Sequence, residues 1–357
     1  MSNDYFFIKR CLSLAALGSG NVAPNPMVGA VLVYNNKIIG EGYHEKFGEA
    51  HAEVNCINNV KEGDKHLIAK SVMYVSLEPC SHFGKTPPCA DLIIFHGIKK
   101  VVIGCIDTFA KVNGGGIEKL KNAGIEVVLG NWQKECNLFN KRFFTFYESK
   151  RPYIILKWAQ SANGKIAAKN QANQGERVLI SNDISNRLVH KWRSEEAAIM
   201  IGTCTAFLDN PTLTNRYYPG KNPKRIIIDK DLNLPPELHV FNTSSETYIF
   251  NQHSDEKKNN LHYIKISFDE NILPQIMEEC FKHQIQSILV EGGSVLLQSF
   301  INQHLWDECR IIANKNLIIE NGLSAPNLKD AVETDSFYLL HDRVDFYKPS
   351  LLISDRN

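Results

Sequence analysis

An excess of charge of either sign is missing from this chain. Its 40 Lys and Arg residues balance 39 Asp and Glu, leaving a formal net charge of +1. No stretch interleaves basic with aromatic residues. A nucleic-acid-binding face needs a basic patch or stripe, and polyanion partners in general need a charge excess, so neither is expected. Long apolar runs are missing too. None approaches the roughly 18 residues a membrane-spanning helix takes, and no membrane partner is expected. The polar start, Met1-Ser2-Asn3-Asp4, reads as a helix cap and not as a targeting segment. The nine cysteines are scattered and odd in number. That argues against a disulfide framework and for a reducing, cytoplasmic setting. The compact Pro-Cys-x-x-Cys of nucleobase deaminases is absent. The third glycine of a Rossmann fingerprint is absent after Glu291-Gly292-Gly293, so that fold is not expected.

What is present concentrates between His51 and Cys89. His51-Ala52-Glu53 is followed by Glu78-Pro79-Cys80 and then by Cys89. One imidazole and two thiolates suit Zn²⁺, and three protein ligands leave a fourth position open, as catalytic zinc requires. Glu53, two residues past His51, is placed to act on water at that open position without being a ligand. Eight residues separate the two cysteines, and they include His82, Lys85 and Thr86, groups suited to phosphate. A chance His-x-Glu ahead of an ordinary cytosolic cysteine pair accounts for each fragment alone. It does not account for the three in this order.

A length of 357 residues suits two domains. In the first half, a helix from Asp4 to Leu17 leads to the rigid Pro24-Asn25-Pro26 loop. A hairpin then turns at Asn35-Asn36, and helices and strands alternate as far as Leu129. That alternation predicts a three-layer α/β/α sandwich. One amphipathic helix is expected from Trp132 to Phe144, then a short polar linker from Tyr147 to Pro152. The turn Asn113-Gly114-Gly115-Gly116 reads equally as a phosphate-approaching loop and as a tight strand–helix turn. In the second half, Lys157 lies within the apolar strand Tyr153 to Ala159 and must snorkel or find a partner, which makes it a site candidate. Ile180-Ser181-Asn182-Asp183 caps a helix running to Arg193. Strands are expected at 197–202, 225–229, 247–250, 263–266, 287–290, 308–313 and 343–353, and Gly292-Gly293 opens a helix as a phosphate cradle would.

Three segments resemble the bifunctional riboflavin-biosynthesis deaminase/reductase family: Pro24-Asn25-Pro26-Met27-Val28-Gly29, Gly48-Glu49-Ala50-His51-Ala52-Glu53, and Ser76 through Cys89. The long gap between cysteines fits that family and not the cytidine or tRNA deaminases. Ile155-Leu156-Lys157-Trp158-Ala159, Ile201-Gly202-Thr203, Asp209-Asn210-Pro211-Thr212-Leu213 and Val290-Glu291-Gly292-Gly293 resemble its reductase half.

The resemblance covers essentially the whole chain. It implies a cytidine-deaminase-like domain over residues 1–147 and a dihydrofolate-reductase-like α/β domain over 151–357. It implies Zn²⁺ on His51, Cys80 and Cys89, Glu53 as the proton shuttle, and Asn25, His44, His82 and Lys85 on a phosphoribosyl pyrimidine. For the second domain it implies NADPH against Ala159, Leu179, Thr205, Asp209, Gly293, Ser294 and Ser299. The reductase substrate would meet Lys157, Arg177, Arg193, Leu213, Arg216 and Glu291. A homo-oligomer, dimer or tetramer, is expected. The family's usual Asp-Pro-Asn reads Asp107-Thr108-Phe109 here, so the second Asn is missing and Asn113 is a possible substitute.

Overall fold

A computed structural model describes residues 3–82, 87–107, 114–168 and 178–350. The chain divides into two compact units, Met1–Lys150 and Arg151–Asn357.

The first unit begins with helix α1 (Asn3–Ala15). Strands β1 (Gly29–Tyr34) and β2 (Lys37–Tyr43) then form the expected hairpin. Asn35 and Asn36 both carry positive φ, +49° and +62°. This is the left-handed turn that Asn tolerates and that matches strand twist. Next come α2 (Ala52–Asn58), β3 (Val72–Val75), α3 (Cys89–Phe95), β4 (Lys100–Ile103), α4 (Gly115–Asn122), β5 (Glu126–Leu129), α5 (Gln133–Phe139) and α6 (Lys141–Ser149). The sheet order is β2-β1-β3-β4-β5, antiparallel as far as β3 and parallel from β3 to β5.

Both faces of this sheet are covered, which is why its strands read as continuous apolar runs. Phe7 and Ile8 of α1 pack on one face with Cys136, Phe143 and Phe144. Cys56 and Ile57 of α2, Ile93 of α3 and Leu120 of α4 pack on the other. This is the three-layer sandwich expected from the sequence.

One expected element is corrected. The single helix from Trp132 to Phe144 is two helices, broken at Asn140, whose backbone leaves the helical region (φ −100°, ψ 26°). The buried Asn140 amide is spent elsewhere: its Oδ1 accepts from Met27 N at 2.9 Å and its Nδ2 donates to Met27 O at 2.9 Å. An Asn that bonds distant backbone competes with helix continuation, and here it pins the loop that carries Asn25. The first half of the stretch read as a linker is helix, because α6 continues to Ser149.

The second unit holds β6 (Tyr153–Ser161), β7 (Lys165–Ala168), α7 (Asp183–Glu195), β8 (Ala198–Gly202), α8 (Thr203–Asp209), β9 (Lys224–Ile228), β10 (Thr247–Asn251), β11 (Glu256–Lys258) and β12 (Leu261–Lys265). It continues with α9 (Ile272–Lys282), β13 (Ser287–Gly292), α10 (Ser294–Asn302), β14 (Glu308–Asn314), β15 (Gly322–Ser324), β16 (Ala331–Leu339) and β17 (Asp342–Pro349). Its main sheet runs β11-β12-β10-β9-β8-β13-β6-β14-β17-β16. Strands β12 through β14 are mutually parallel, and β17 and β16 close one edge antiparallel. Helices α9 and α10 cover one face through Ile276, Leu297 and Phe300. Trp192 and Val189 of α7 and Ala206 of α8 pack on the other side.

Strands β11, β15 and β16 are not foreseen from the sequence. The side chains of β16 are almost all exposed, so burial imposes no apolar pattern on it.

Helix α7 starts at the expected cap. Asn182 Oδ1 accepts from Ile184 N and Ser185 N at 2.9 and 3.0 Å, and its Nδ2 donates to Leu339 O at 2.8 Å. Asn182→Ala should therefore cost about 1–2 kcal/mol of stability. Denaturant unfolding of the full chain checks this, and an unmoved midpoint refutes it.

Candidate functional site

In the first unit, β3 runs out into Glu78-Pro79-Cys80 while α2 and α3 begin at His51 and Cys89. His51 is the N-cap of α2, with extended backbone. Cys89 is the first residue of α3 and is buried. His51 Nδ1 lies 3.3 Å from Cys89 Sγ and 3.6 Å from Cys80 Sγ. All three donor atoms lie within 4.8 Å of one another. Cys89 N–H donates to Cys80 Sγ at 3.3 Å, so a main-chain dipole already faces that sulfur.

The two thiols differ in protonation. The Cys89 thiol hydrogen bond, with His51 beside it, holds Cys80 well below the usual thiol range, while the same shared proton and burial push Cys89 up. Two sulfurs and a nitrogen in this spacing are a soft, three-ligand donor set of the kind zinc takes. Glu53 is 3% exposed. Burial, with Cys80 next to it, raises its carboxyl above the usual range, toward the values that suit proton transfer near neutrality.

His51, Cys80 and Glu53 line one cavity of 260 Å³, together with Asn25, His44 and His82. Burial lowers His44, which favours its neutral ring. Its Nδ1 faces the Ala50 carbonyl at 3.0 Å, which can only accept, so the proton sits on Nδ1. Nε2 then accepts from Asn25 Nδ2 at 3.1 Å, leaving Asn25 Oδ1 as the acceptor on offer. Both ring nitrogens of His44 are thus engaged within the protein, which the reading of His44 as a direct substrate contact did not foresee. His82 is exposed, at the cavity's edge. Sequence reasoning missed Phe143 and Tyr147 as cavity walls. They lie on the apolar face of α6, and only the fold shows that this face reaches the site.

In the second unit, several expected residues gather at the C-terminal ends of adjacent parallel strands, where ligands of open α/β sheets bind. Glu291 ends β13. Arg193 of α7 meets it as a fork, Nε to Oε1 at 2.9 Å and Nη2 to Oε2 at 2.6 Å, and Arg193 also donates to Thr214 O at 3.3 Å. Arg193 is therefore paired with Glu291, a partnership the sequence does not show. Gly293 caps α10, and Thr205 stands close enough that a Cβ on Gly293 would lie 3.2 Å from its hydroxyl. Gly292 has φ +125°, a conformation that requires glycine. Ser294 opens α10.

Lys157 and Ala159 stand half-buried on β6, and Asp209 ends α8 exposed. Arg216 is exposed and bonds the Thr212 hydroxyl. Three other expected residues stand in settings the sequence does not show. The Leu213 side chain is 2% exposed and belongs to the core with Ile199 and Ile201, so only its backbone can meet a ligand. Ser299 lies inside α10 with its hydroxyl donated to Val295 O at 2.9 Å, away from the helix start. Leu179 is 79% exposed. Lys85, Phe109, Asn113 and Arg177 lie outside the described residues.

A His-Cys-Cys donor set with a buried carboxylate beside it, on a three-layer sandwich, defines a zinc-dependent deaminase. The parallel sheet with a glycine-opened helix at its strand ends adds a nucleotide-dependent reductase. Residues 1–105 match the cytidine and deoxycytidylate deaminase zinc-binding region, and residues 152–316 match the RibD C-terminal domain. The chain is 39% identical over 331 residues to riboflavin biosynthesis protein RibD of Aquifex aeolicus, covering 91% of this chain and 90% of that protein. It is 34% identical to RibD of Escherichia coli, over 85% of this chain and 86% of that one. A crystal structure from Thermotoga maritima is described as a diaminohydroxyphosphoribosylaminopyrimidine deaminase/5-amino-6-(5-phosphoribosylamino)uracil reductase. It superposes with TM-score 0.87 at 33% identity, covering 97% of this chain and 99% of that one. The chain belongs to the RibD family of bifunctional riboflavin-biosynthesis enzymes.

Proposed function

We propose that the chain carries out two successive steps on one phosphoribosyl pyrimidine. The unit Met1–Lys150 hydrolyses the ring amino group of diaminohydroxyphosphoribosylaminopyrimidine. The unit Arg151–Asn357 reduces the ribosyl group of the deaminated product to ribityl with NADPH. The observation that carries the first step is the His51-Cys80-Cys89 set with Glu53 in the same cavity.

When bound, Zn²⁺ supplies Lewis acidity that brings the ionisation of water close to neutral pH. His51 Nδ1 and the two sulfurs would hold it. Glu53 takes a proton from the water that adds to the ring carbon and passes it to the ring nitrogen, then takes a second proton from the new hydroxyl and gives it to the departing amine, which leaves as ammonia. Asn25, oriented by His44, accepts a hydrogen bond from the ring edge through Oδ1. His82 and Lys85 meet the ribose phosphate.

In the second unit the start of α10 receives the NADPH phosphates, because unpaired N–H groups and the helix dipole favour anions. Thr205, Ala159, Leu179 and Asp209 stand along that cofactor, with Gly293, Ser294 and the Ser299 turn. Lys157, Arg177, Leu213, Arg216 and Glu291 receive the substrate. Arg193 keeps Glu291 in place from within the fold.

Among the described residues no helix is long and apolar enough to cross a membrane. The free cysteines suit a cytoplasmic setting, the balanced charge suits a small-molecule substrate and not nucleic acid, and a homo-oligomer is proposed from the family resemblance alone. Ammonia release from the amino substrate, coupled to NADPH oxidation only after deamination, tests the whole reading. Zinc-loaded protein that does neither refutes it.

Gly293→Val tests the cofactor half. The added methyl groups crowd Thr205 and the start of α10. NADPH should bind about tenfold more weakly, the scale of a well-placed helix-terminus interaction with an anion, and ammonia release should persist. An unchanged Kd for NADPH means that the turn is only structural.

A further inference from the structure

One buried carboxylate near the deaminase cavity takes no part in the steps above. Glu78 is 4% exposed, two residues ahead of Cys80. Its Oε2 accepts from Asp107 N at 3.2 Å and Gly114 N at 3.1 Å. Its Oε1 accepts from Gly116 N at 2.8 Å and Ile117 N at 3.1 Å. Its own N–H donates to Cys105 O at 2.9 Å. Four main-chain donors from both sides of the β4–α4 connection thus converge on one side chain.

The glycines follow from this approach. A Cβ on Gly116 would lie 1.9 Å from Pro79 O, so the turn must be bare for the strand end to sit against it. The sequence left open whether this glycine-rich turn binds a phosphate. Its Gly114 and Gly116 N–H groups are taken by the protein's own Glu78 side chain.

Glu78 therefore joins two parts of one site. Cys80 stands on its strand end. Asp107, whose N–H it holds, lines the same cavity as Cys80 and Glu53. We propose that Glu78 is a positioning residue for deamination, fixing Asp107 and the start of α4 relative to Cys80 and so setting how the substrate fits. This rests on the deaminase reading of the first unit.

The test uses the full chain loaded with zinc and carrying Glu78→Gln. Gln keeps one acceptor oxygen. Its NH₂ must then face two of the four N–H donors, leaving buried donors unpaired. Amide exchange at 107, 114, 116 and 117 should accelerate while β3 and β4 stay protected. Zinc should be retained, and KM for deamination should rise about tenfold or more, with kcat changed less and NADPH oxidation unchanged. A tenfold change is the size expected when one hydrogen bond to a charged group is lost.

A purely structural cap would lower the folded fraction but leave KM of the folded molecules alone. Faster exchange with an unchanged KM therefore overturns the proposal, as does unaltered exchange. If Glu78→Gln does not fold, Glu78→Asp is read in the same way, because it keeps the charge but shortens the reach. An unchanged KM in that variant overturns the proposal equally. Absence of ammonia release from the unmutated chain would instead count against the deaminase reading itself.

Discussion

Glu53→Gln is expected to cut ammonia release by about 10²–10⁴-fold, the usual cost of losing a general acid–base group, and toward the upper end because one carboxylate serves both as base and as acid. The substitution keeps the shape and length of the side chain and removes its charge and its capacity to carry a proton. Glu53 is no part of the three-atom donor set, so zinc content should stay at the unmutated level.

Stability should not suffer either. Burial raises the Glu53 carboxyl in the folded chain. A carboxyl raised on folding supports the fold at low pH, and that support is lost as pH rises through its folded value. Gln does not titrate, so in metal-free protein the variant should be at least as stable as the parent at neutral pH. NADPH oxidation with the already deaminated substrate should proceed normally. Loss of zinc would make Glu53 a ligand, and loss of reduction as well would mean that the substitution damages more than the deaminase site.

The sequence made this residue legible because its chemistry is written in local spacing. His51 and Glu53 are two residues apart, and Cys80 follows a strand that its apolar run announces. The sandwich was legible for the same reason, since strands buried on both faces must be apolar throughout.

What stayed hidden depends on long-range partners. Asn140 lies in a stretch with helical periodicity, and the break there becomes visible only when Met27, 113 residues away, is seen to take both ends of its amide. Arg193 and Glu291 each suggest a ligand contact when read singly. They meet across 98 residues as a fork that no local pattern encodes. Strand β16 has no buried face to imprint an alternation on it. Glu78 stood inside a quoted motif without a role, because its partners are backbone N–H groups, which every residue but proline has.

Cys89→Ser is expected to lose both zinc and deamination, and the reasons are geometric as well as chemical. Cys89 is 1% exposed and stands at the first position of α3, so its sulfur cannot be replaced by a neighbouring side chain. Serine offers a shorter, harder and neutral oxygen where a thiolate is needed. Loss of a hydrogen-bonding partner outside a ligand set already costs about 10–100-fold in metal affinity. Loss of a ligand from a three-member set must cost more, because the two remaining donors, His51 Nδ1 and Cys80 Sγ, then hold the ion alone. Cys80→Ser should behave alike.

The fold should survive in both variants, because the two sheet faces of this unit are closed by apolar clusters of their own. NADPH oxidation on the deaminated compound should be untouched. Atomic absorption on the purified variants decides the matter. Full zinc occupancy in either one removes His51, Cys80 and Cys89 as the metal site, whatever happens to the rate.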